Sequence, residues 1–322
     1  MQSKSKLRKR VEVQDDGQNK SNKKKKNESK ETEKKKETTE TNGFNIDYKR
    51  IIIRCIVIVT IITIINYTQG NKLETFASVK DELKLKDLHF DCSLDFTRQL
   101  KNFKGCIPKM CGRFVADTLI SLHEAQALAV IVQKGLSIAG PRGTEAEYST
   151  MDIHSGALTK GNAFINIYEM DKSHKVITSE DVKIYRYIVD KIKNNVAEHF
   201  NINAASIYLS QPSYFVIISP ANPNSYYSYW SPKADKVQYS SSDYTTHLYL
   251  TDFNYHFKGG RLVYVDKSSN KTVEPKVGRL VASTSGSENI NFVEHVTSGT
   301  RIEALISFTC DPKKARKDVK FD

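Results

Sequence analysis

Short β-rich runs dominate the chain from residue 205 onward. They are SIYLSQPSYFVIIS, TTHLYLTDF, GGRLVYVD, KTVEP, GRLVAST and TRIEALISFT. β-branched and aromatic residues fill these runs, and clusters of Gly, Pro, Asn and Ser separate them at roughly regular intervals. Two packed sheets, as in a sandwich or jelly roll, have this pattern. Residues 205–322 are therefore predicted to form a mainly β domain.

Two amphipathic stretches before residue 205 predict helices. Ser121-Leu-His-Glu124 is a capping-box pattern ahead of the apolar stretch AQALAVIVQKGL. A second helix opens at Thr178, and its apolar residues recur at three- and four-residue steps. These residues are Val182, Tyr185, Val189, Ile192, Val196 and Phe200. Both stripes are typical of core packing, so residues 113–204 are predicted to form a helical support region.

The N-terminal segment is polar and basic. The net charge of the chain is +12, and residues 1–50 contribute +7 of it through 16 Lys/Arg and 9 Asp/Glu. This segment has almost no Leu, Ile, Val or Phe, so it cannot bury a core, and we predict a disordered basic tail. The rest of the chain has no long basic run, so no nucleic-acid partner is expected for the folded part.

An apolar run, IIIRCIVIVTIITIINY at residues 51–67, follows the tail. Its length is near the minimum for a transmembrane helix, and Arg54 close to its start can snorkel to the headgroups. No small-residue cleavage site follows, which favours a retained signal-anchor over a removed signal peptide. The alternative is a buried helix or strand of a soluble domain, with the lysines at 23–26 acting as a nuclear signal.

The charge distribution around this run predicts the topology. Basic residues collect on its N-terminal side, and the positive-inside rule then places the tail in the cytoplasm. The expected localisation is a single-pass type II membrane protein, with its C-terminal domain in the lumen of the secretory pathway or outside the cell. A protein substrate or partner there is expected but not identified. The sequon Asn270-Lys-Thr, in a polar stretch, is a candidate glycosylation site.

Cysteine usage agrees with an oxidising compartment. Cys55 lies in the apolar run, and four cysteines follow it: Cys92, Cys106, Cys111 and Cys310. Two disulfides are expected, with three possible connectivities. The alternative for the C-x4-C pair is half of a zinc site, but no second Cys or His pair at zinc spacing follows. Residues 68–112, which hold three of these cysteines, are predicted to form a Cys-containing stalk.

Three features of the β region are candidates for chemistry. Lys233 and Asp235 lie two residues apart just before a predicted strand, so they share one face of an extended chain. The segment SGSENINFVEHV contains Asn291, which lies 56 residues after Asp235. Arg301 follows Asn291 by ten residues, in the run TRIEALISF.

These residues lie in a sequence that resembles a known family. KADKVQY…DYTTHLYLTDF…GGRLVYVD…NKTVEPKVGRLVASTSGSENINFVEHVTSGTRIEALISFTCDP is similar to the prolyl-hydroxylase branch of the Fe(II)/2-oxoglutarate dioxygenases. CSLDF…GCIPKMCGR and HSGAL at 154–158 extend the resemblance over roughly residues 90–315. It implies a double-stranded β-helix (jelly roll), with Fe(II) and 2-oxoglutarate as cofactors and ascorbate as reductant.

The resemblance also implies a ligand set. The family holds iron through His-x-Asp on one strand and a distal His on another, and it leaves positions open for 2-oxoglutarate and O₂. The acidic ligand position falls on Asp235. Arg301 falls where a basic residue binds the far carboxylate of the cosubstrate, a role that suits the guanidinium fork. Tyr249 matches a strand tyrosine that assists this arginine in relatives.

Both histidine positions of the ligand set are substituted. Lys233 stands where the first His is implied, and Asn291 stands where the distal His is implied. A charged lysine has no lone pair to donate, and an amide is a weak ligand. Three other histidines are candidate replacements: His247, His256 and His295. Of these, His295 lies four strand positions from the implied site, about 13 Å along an extended chain.

Lys233 has three interpretations. It is a solvated lysine in a mobile loop, or its ammonium lies near the vacated metal position and pairs with Asp235 and Asn291. The third interpretation is an alignment slip that hides the true ligands.

The leading functional hypothesis is a dioxygenase-fold protein with a degenerate metal site and a binding or scaffolding role. It either retains weak 2-oxoglutarate binding through Arg301 and Tyr249 or has no cofactor. The first alternative is an active 2-oxoglutarate- and iron-dependent hydroxylase with an atypical metal site. The second is a cell-surface β-sandwich module for adhesion or carbohydrate binding. Its groove would be lined by clustered aromatic residues, namely Tyr226, Tyr227, Tyr229 and Trp230.

Overall fold

The described part of the chain comprises most residues after position 47. The computed structural model describes residues 48–70, 73–139, 147–161, 163–170, 176–220 and 231–319. Most of the predicted basic tail lies outside these ranges, and so do the aromatic residues at 226–230. The described residues fall into two units, one of residues 48–54 and one of the described residues from 55 onward. All strands and every helix after the first belong to the second unit.

Within these ranges, helices and strands alternate irregularly along the chain. The helices are α1 (Tyr48–Gly70), α2 (Leu94–Leu100), α3 (Leu122–Ala139), α4 (Ser179–His199) and α5 (Asp235–Gln238). The strands are β1 (Leu73–Ala77), β2 (Lys86–Phe90), β3 (Cys111–Ala116), β4 (Tyr148–Met151), β5 (Ala157–Lys160), β6 (Ala163–Asn166), β7 (Tyr208–Ile218), β8 (Tyr244–Tyr249), β9 (Phe257–Gly259), β10 (Leu262–Tyr264), β11 (Asn270–Val273), β12 (Leu280–Thr284), β13 (Asn291–Val293), β14 (Val296–Gly299) and β15 (Arg301–Thr309).

Most strands join one nine-stranded sheet, in the order β2-β3-β12-β8-β15-β7-β4-β5-β6. A four-stranded sheet, β1-β11-β10-β13, packs against one of its faces, and β9 pairs with β14 separately. Strand β15 lies between β7 and β8 near the centre of the large sheet. Its register with β8 places Glu303 opposite Tyr249 and Leu305 opposite His247. These four residues therefore lie on neighbouring positions of the two strands.

Side chains of the large sheet alternate between two cores. One core lies between the two sheets and includes Tyr249, Val281 and Leu305. The other lies between the large sheet and helices α2, α3 and α4, and includes Phe114 and Phe308. The jelly-roll interior thus lies on one face of the large sheet and the helical layer on the other. The predicted mainly β architecture with helical support is confirmed.

Reciprocal side-chain caps start both support helices, and the one at Ser121 was predicted. At α4 the Thr178 hydroxyl accepts from the backbone N–H of Asp181, whose carboxylate accepts from the Thr178 N–H. At α3 the same exchange joins Ser121 and Glu124. Lys191 of α4 then donates to the Glu124 carboxylate at 2.7 Å, linking the two helices. The predicted apolar stripe of α4 is buried along its whole length.

The large sheet draws strands from every predicted segment after residue 67. Strand β2 lies in the predicted stalk, residues 68–112, and strands β4, β5 and β6 lie in the predicted support region, residues 113–204. Strand β3 crosses the boundary between the two. All six residues of β3, CGRFVA, are buried. The strand therefore lacks the alternation of apolar and polar residues by which a half-buried strand is recognised in a sequence.

The predicted transmembrane signal-anchor is wrong, and with it the type II membrane localisation. Residues 51–67 belong to helix α1, but no helix in the described part of the chain is long and apolar enough to span a membrane. Three basic residues, Lys49, Arg50 and Arg54, lie in its first two turns. The uncharged part of α1 after them, residues 55–70, extends about 24 Å at the α-helical rise, against roughly 30 Å of hydrocarbon.

Two disulfides join the four cysteines that follow Cys55. Cys92 pairs with Cys111, and Cys106 pairs with Cys310. The first closes a short loop between the ends of β2 and β3. The second spans a sequence separation of 204 residues and ties the loop before β3 to the end of β15. The prediction of two bridges is confirmed, and the alternative of a zinc half-site at the C-x4-C pair is excluded because both thiols are bonded.

Asn270, the candidate glycosylation residue, is the first residue of strand β11 and not part of a loop. It lies opposite Leu73 in the parallel pairing of β1 and β11. Its side chain is half-buried, and the amide oxygen is shielded from solvent. Glycosylation at Asn270 remains a prediction that this environment does not favour.

Candidate functional site

The two substituted ligand positions face each other across an antiparallel bridge. The Lys233 N–H donates to the Asn291 carbonyl at 3.1 Å, and the Asn291 N–H donates to the Lys233 carbonyl at 3.0 Å. Lys233 lies in the extended segment just before α5, and Asn291 is the first residue of β13. Asp235 follows as the first residue of α5. The fold therefore brings together three residues that the sequence separates by up to 58 positions.

Asp235 is buried among neutral and cationic neighbours. Its carboxylate Oδ2 accepts from the Asn291 amide Nδ2 at 3.3 Å. Burial raises the pKa of Asp235, while His247, Thr245, Asn291 and the Lys233 ammonium oppose that rise without cancelling it. Its carboxyl group is therefore more easily protonated than an exposed one.

Lys233 is half-buried beside this carboxylate. Burial lowers the pKa of Lys233, and the negative charge of Asp235 acts in the opposite direction. Both side chains line the same small cavity. The lysine is thus a cation held at the position where the family resemblance implies an iron ligand.

His247 on β8 points into the same interior and is held by Glu303. The His247 Nδ1 atom lies 3.1 Å from the Glu303 Oε2 atom, and both side chains are almost fully buried. Among the described residues, His247 Nε2 has no hydrogen-bond partner. Its position follows from the alternation of β8, which sends His247 and Tyr249 to one face.

Arg301 already holds a carboxylate of the protein. Its Nη2 atom donates to Glu303 Oε2 at 2.9 Å, and both side chains are fully buried. The guanidinium carbon lies 5.3 Å from the Tyr249 ring centre. Burial alone raises the pKa of Glu303, but Arg301 and His247 together hold it well below its usual range. Burial raises the pKa of the Tyr249 hydroxyl, so it stays protonated.

Glu303 is the residue that the sequence analysis missed. It lies two residues after Arg301 on β15, and a strand places residues two apart on one face. That alternation was the available signal. An acidic residue at this spacing in an otherwise apolar run, RIEALISF, marks a buried partner for the arginine.

The cavity at this site is very small. Its volume is about 20 Å³, which is room for about one water molecule. The lining residues are Lys233, Asp235, Gln238, Tyr239, His247, Asn291, Phe292, Val293 and Leu305. A dicarboxylate such as 2-oxoglutarate does not fit without movement of these side chains.

The residues present do not fit iron and 2-oxoglutarate. Asp235 and His247 supply two possible ligand atoms, but Lys233 is a cation. The Asn291 amide nitrogen donates to Asp235 and to the Asn289 carbonyl. Elsewhere in the described ranges, a single group of three possible metal ligands comes together, outside this cavity. The other two candidate histidines do not line the cavity: His256 is in a turn, where its Nδ1 accepts from the Asp252 N–H, and His295 is exposed.

Comparison with known proteins shows extended similarity to one group of relatives. The chain is 41% identical over 254 residues to 2-oxoglutarate and iron-dependent oxygenase domain-containing protein 3 of Xenopus tropicalis, covering 78% of this chain and 79% of that protein. The protein of the same name from Homo sapiens is 40% identical over 233 residues, covering 71% and 72%. Prolyl 3-hydroxylase 2 of Homo sapiens matches at 35% identity, over only 23% of this chain and 10% of that protein. No protein-family model matches the chain.

Solved structures with a similar chain path are more distant. A Pseudomonas putida prolyl-4-hydroxylase aligns with 69% of this chain and 98% of its own, at a TM-score of 0.40 and 15% identity. A 2OG-Fe(II) oxygenase-family protein of Burkholderia pseudomallei aligns with 72% and 100%, at a TM-score of 0.37 and 12% identity. The sequence relatives carry the assignment. On their identity and coverage, this chain belongs to the family of 2-oxoglutarate and iron-dependent oxygenase domain-containing protein 3.

Proposed function

We propose that this chain is a non-catalytic member of its family, and that its β domain serves as a binding or scaffolding module. The Arg301–Glu303 pair carries this proposal. The resemblance assigns the arginine to the carboxylate of a cosubstrate, and here a carboxylate of the protein itself takes that place at 2.9 Å. A fully buried ion pair does not exchange partners readily, because separating it leaves an uncompensated buried charge.

The surroundings of Asp235 support the same function. In an iron enzyme the metal charge offsets the ligand carboxylate. In this chain Asp235 is stabilised instead by the Asn291 amide, by Thr245 and by the charge of Lys233. Metal binding at this position would require the displacement of Lys233, and the small cavity offers little space for that movement.

Metal binding and turnover by the full chain test the proposal. Under anaerobic conditions we expect no stoichiometric Fe(II) binding that depends on Asp235, and no conversion of 2-oxoglutarate to succinate. The Lys233→His, Asn291→His double variant restores the implied ligand set and is expected to gain metal binding. Stoichiometric Fe(II) binding by the unmodified chain that is lost in Asp235→Ala contradicts the proposal.

Removal of Glu303 tests the arginine directly. Glu303→Ala frees the Arg301 guanidinium and enlarges the interior, so we expect 2-oxoglutarate to raise the melting temperature of this variant and not that of the parent. Glu294→Ala is the matched control, because Glu294 pairs with Arg261 in a partly exposed ion pair that does not involve Arg301. A parent chain that 2-oxoglutarate stabilises as strongly as it does Glu303→Ala contradicts the role given to Glu303.

One observation favours a second function, that of an active 2-oxoglutarate- and iron-dependent hydroxylase with an atypical site. The buried His247 Nε2 atom is free of hydrogen bonds among the described residues, and the Glu303 contact at Nδ1 orients the ring. Carboxylate contacts of this kind orient metal-binding histidines. This function requires Fe(II) binding that is lost in both His247→Gln and Asp235→Ala. Binding that survives His247→Gln excludes it.

A further inference from the structure

A second cluster of possible metal ligands lies on the opposite face of the large sheet. Asp87 and His89 lie two residues apart on the edge strand β2, so both side chains point to the same face. Asp87 is paired with Phe114 of β3, whose ring packs against the helical layer. His199, the last residue of α4, reaches this face, and its ring lies 4.3 Å from the Phe114 ring.

The three side chains present one carboxylate and two imidazoles at close range. Asp87 Oδ2 lies 3.9 Å from His89 Nδ1 and 4.0 Å from His199 Nε2. One ligand atom from each residue lies within 4.8 Å of the others. A tetrahedral zinc ion with bonds near 2.1 Å requires ligand atoms about 3.4 Å apart. The two imidazole–carboxylate separations exceed this by only about 0.5 Å, within the reach of small side-chain rotations.

His199 is the anchored member of the cluster. Its side chain is only 10% exposed, and Nε2 has no hydrogen-bond partner in the described part of the chain. The flanking Phe200 ring lies 5.0 Å away. Burial of a nitrogen atom without a hydrogen-bond partner costs free energy, and a bound metal ion would remove that cost.

The other two members are open to solvent on one side. The side chains of Asp87 and His89 are 38% and 46% exposed. His199 is therefore held in place by its buried surroundings, whereas the side chains of Asp87 and His89 face water and can adjust their positions. This arrangement admits an ion from solution and leaves a fourth coordination position for water.

We propose that Asp87, His89 and His199 form a binding site for a zinc ion, with water as the fourth ligand. Two imidazoles and one carboxylate suit zinc better than calcium or magnesium, which prefer oxygen ligands throughout. The ion joins the edge strand β2 to the C-terminal end of α4. The expected role is structural: it fixes this edge of the sheet to the helical layer, near the Cys92–Cys111 disulfide.

Zinc titration of the full chain tests the site. The protein carries no histidine tag, has both disulfides intact and is freed of metal by a chelator. Zinc is then titrated against a chromophoric competitor. We expect the parent to bind one equivalent of zinc. Asp87→Asn and His89→Gln are each expected to weaken zinc binding at least about tenfold, because loss of even a residue that only hydrogen-bonds to a metal ligand weakens binding by about this factor. Both residues are partly exposed, so these variants are expected to fold, which circular dichroism checks.

His123→Gln is the matched control, because His123 is exposed on the first turn of α3, outside the cluster. It is expected to bind zinc like the parent. Zinc is also expected to raise the melting temperature of the parent and the control but not of the Asp87→Asn, His89→Gln double variant. Cobalt in place of zinc gives visible bands that report whether nitrogen and oxygen ligands surround the ion tetrahedrally.

Three outcomes overturn the zinc site. They are the absence of stoichiometric binding, binding that neither Asp87→Asn nor His89→Gln weakens, and binding that is lost in Asp235→Ala. The last outcome would place the ion in the jelly-roll interior. Because the zinc site does not depend on that interior, its failure leaves the proposed non-catalytic function unchanged, and the reverse also holds.

Discussion

Glu303 has two buried partners, and their arrangement explains why the carboxylate is charged. Arg301 donates to one of its oxygens, and the imidazole of His247 lies 3.1 Å from the same oxygen. All three residues are nearly excluded from water. A buried pair of this kind adds little net stability, but removal of one partner leaves the other charge without compensation.

We therefore expect Glu303→Gln to destabilise the protein by about 3–5 kcal/mol, the range observed when one member of a buried pair is removed. Glu294→Gln is the control, since Glu294 and Arg261 form a partly exposed pair, and its loss is expected to cost about 1 kcal/mol or less. Urea unfolding of both variants at pH 7 measures the difference. Equal effects for the two variants would show that Arg301 finds another partner.

At the scale of elements, the two disulfides stabilise different parts of the fold. Cys92–Cys111 joins β2 to its neighbour β3, which already pair along their length. Cys106–Cys310 joins residues 204 positions apart and fixes the end of the central strand β15. The longer bridge removes more conformational freedom from the unfolded chain.

The loop-entropy relation predicts the size of this difference. It gives about 5 kcal/mol for a loop of 204 residues and about 3 kcal/mol for one of 19 residues. We expect the Cys106→Ala, Cys310→Ala double variant to be about 2 kcal/mol less stable than the Cys92→Ala, Cys111→Ala variant. Chemical unfolding of the two double variants without reductant measures this. The reverse order would show that strain or residual structure outweighs chain entropy.

At the scale of the whole molecule, the large sheet separates two environments with different chemistry. Its inner face holds a charged cluster enclosed between two sheets, where the carboxyl groups of Asp235 and Glu303 have pKa values shifted in opposite directions. Its outer face carries the apolar layer of helices α2 to α4. The pH dependence of folding therefore contains opposing contributions from the same interior.

The raised pKa of Asp235 predicts a pH-dependent effect of Asp235→Asn. The folded state binds this proton more tightly than the unfolded state, so Asp235 disfavours folding increasingly as pH rises above the unfolded value of about 3.9. Asp235→Asn removes that contribution, and we expect it to be more stable than the parent at pH 7 and equal to it near pH 3.5. Urea unfolding at both pH values tests this. A variant less stable at pH 7 would show that Asn291 and Thr245 need a charged acceptor.

Part of this architecture was predictable from local pattern. The two helices with capping boxes at Ser121 and Thr178 were predicted, as were the β-rich runs of the C-terminal region. Strand β3 was not, because its fully buried sequence lacks alternation. The apolar run at residues 51–67 is helical, but the prediction that it spans a membrane was wrong. The three basic residues in the first turns of α1 shorten the uncharged part of this helix.

Residue order and similarity to relatives were enough to predict the family, the shared position of Lys233 and Asp235, and the place of Arg301 on its strand. These features depend on residue order along one strand or on similarity to relatives. Only the tertiary structure showed that Glu303 contacts both Arg301 and His247. It alone also showed that Asp87, His89 and His199 lie close together. His247 and Glu303 lie 56 positions apart in the sequence, and His89 and His199 lie 110 positions apart. Strand register and helix packing set the geometry of these contacts, and no local sequence pattern specifies either.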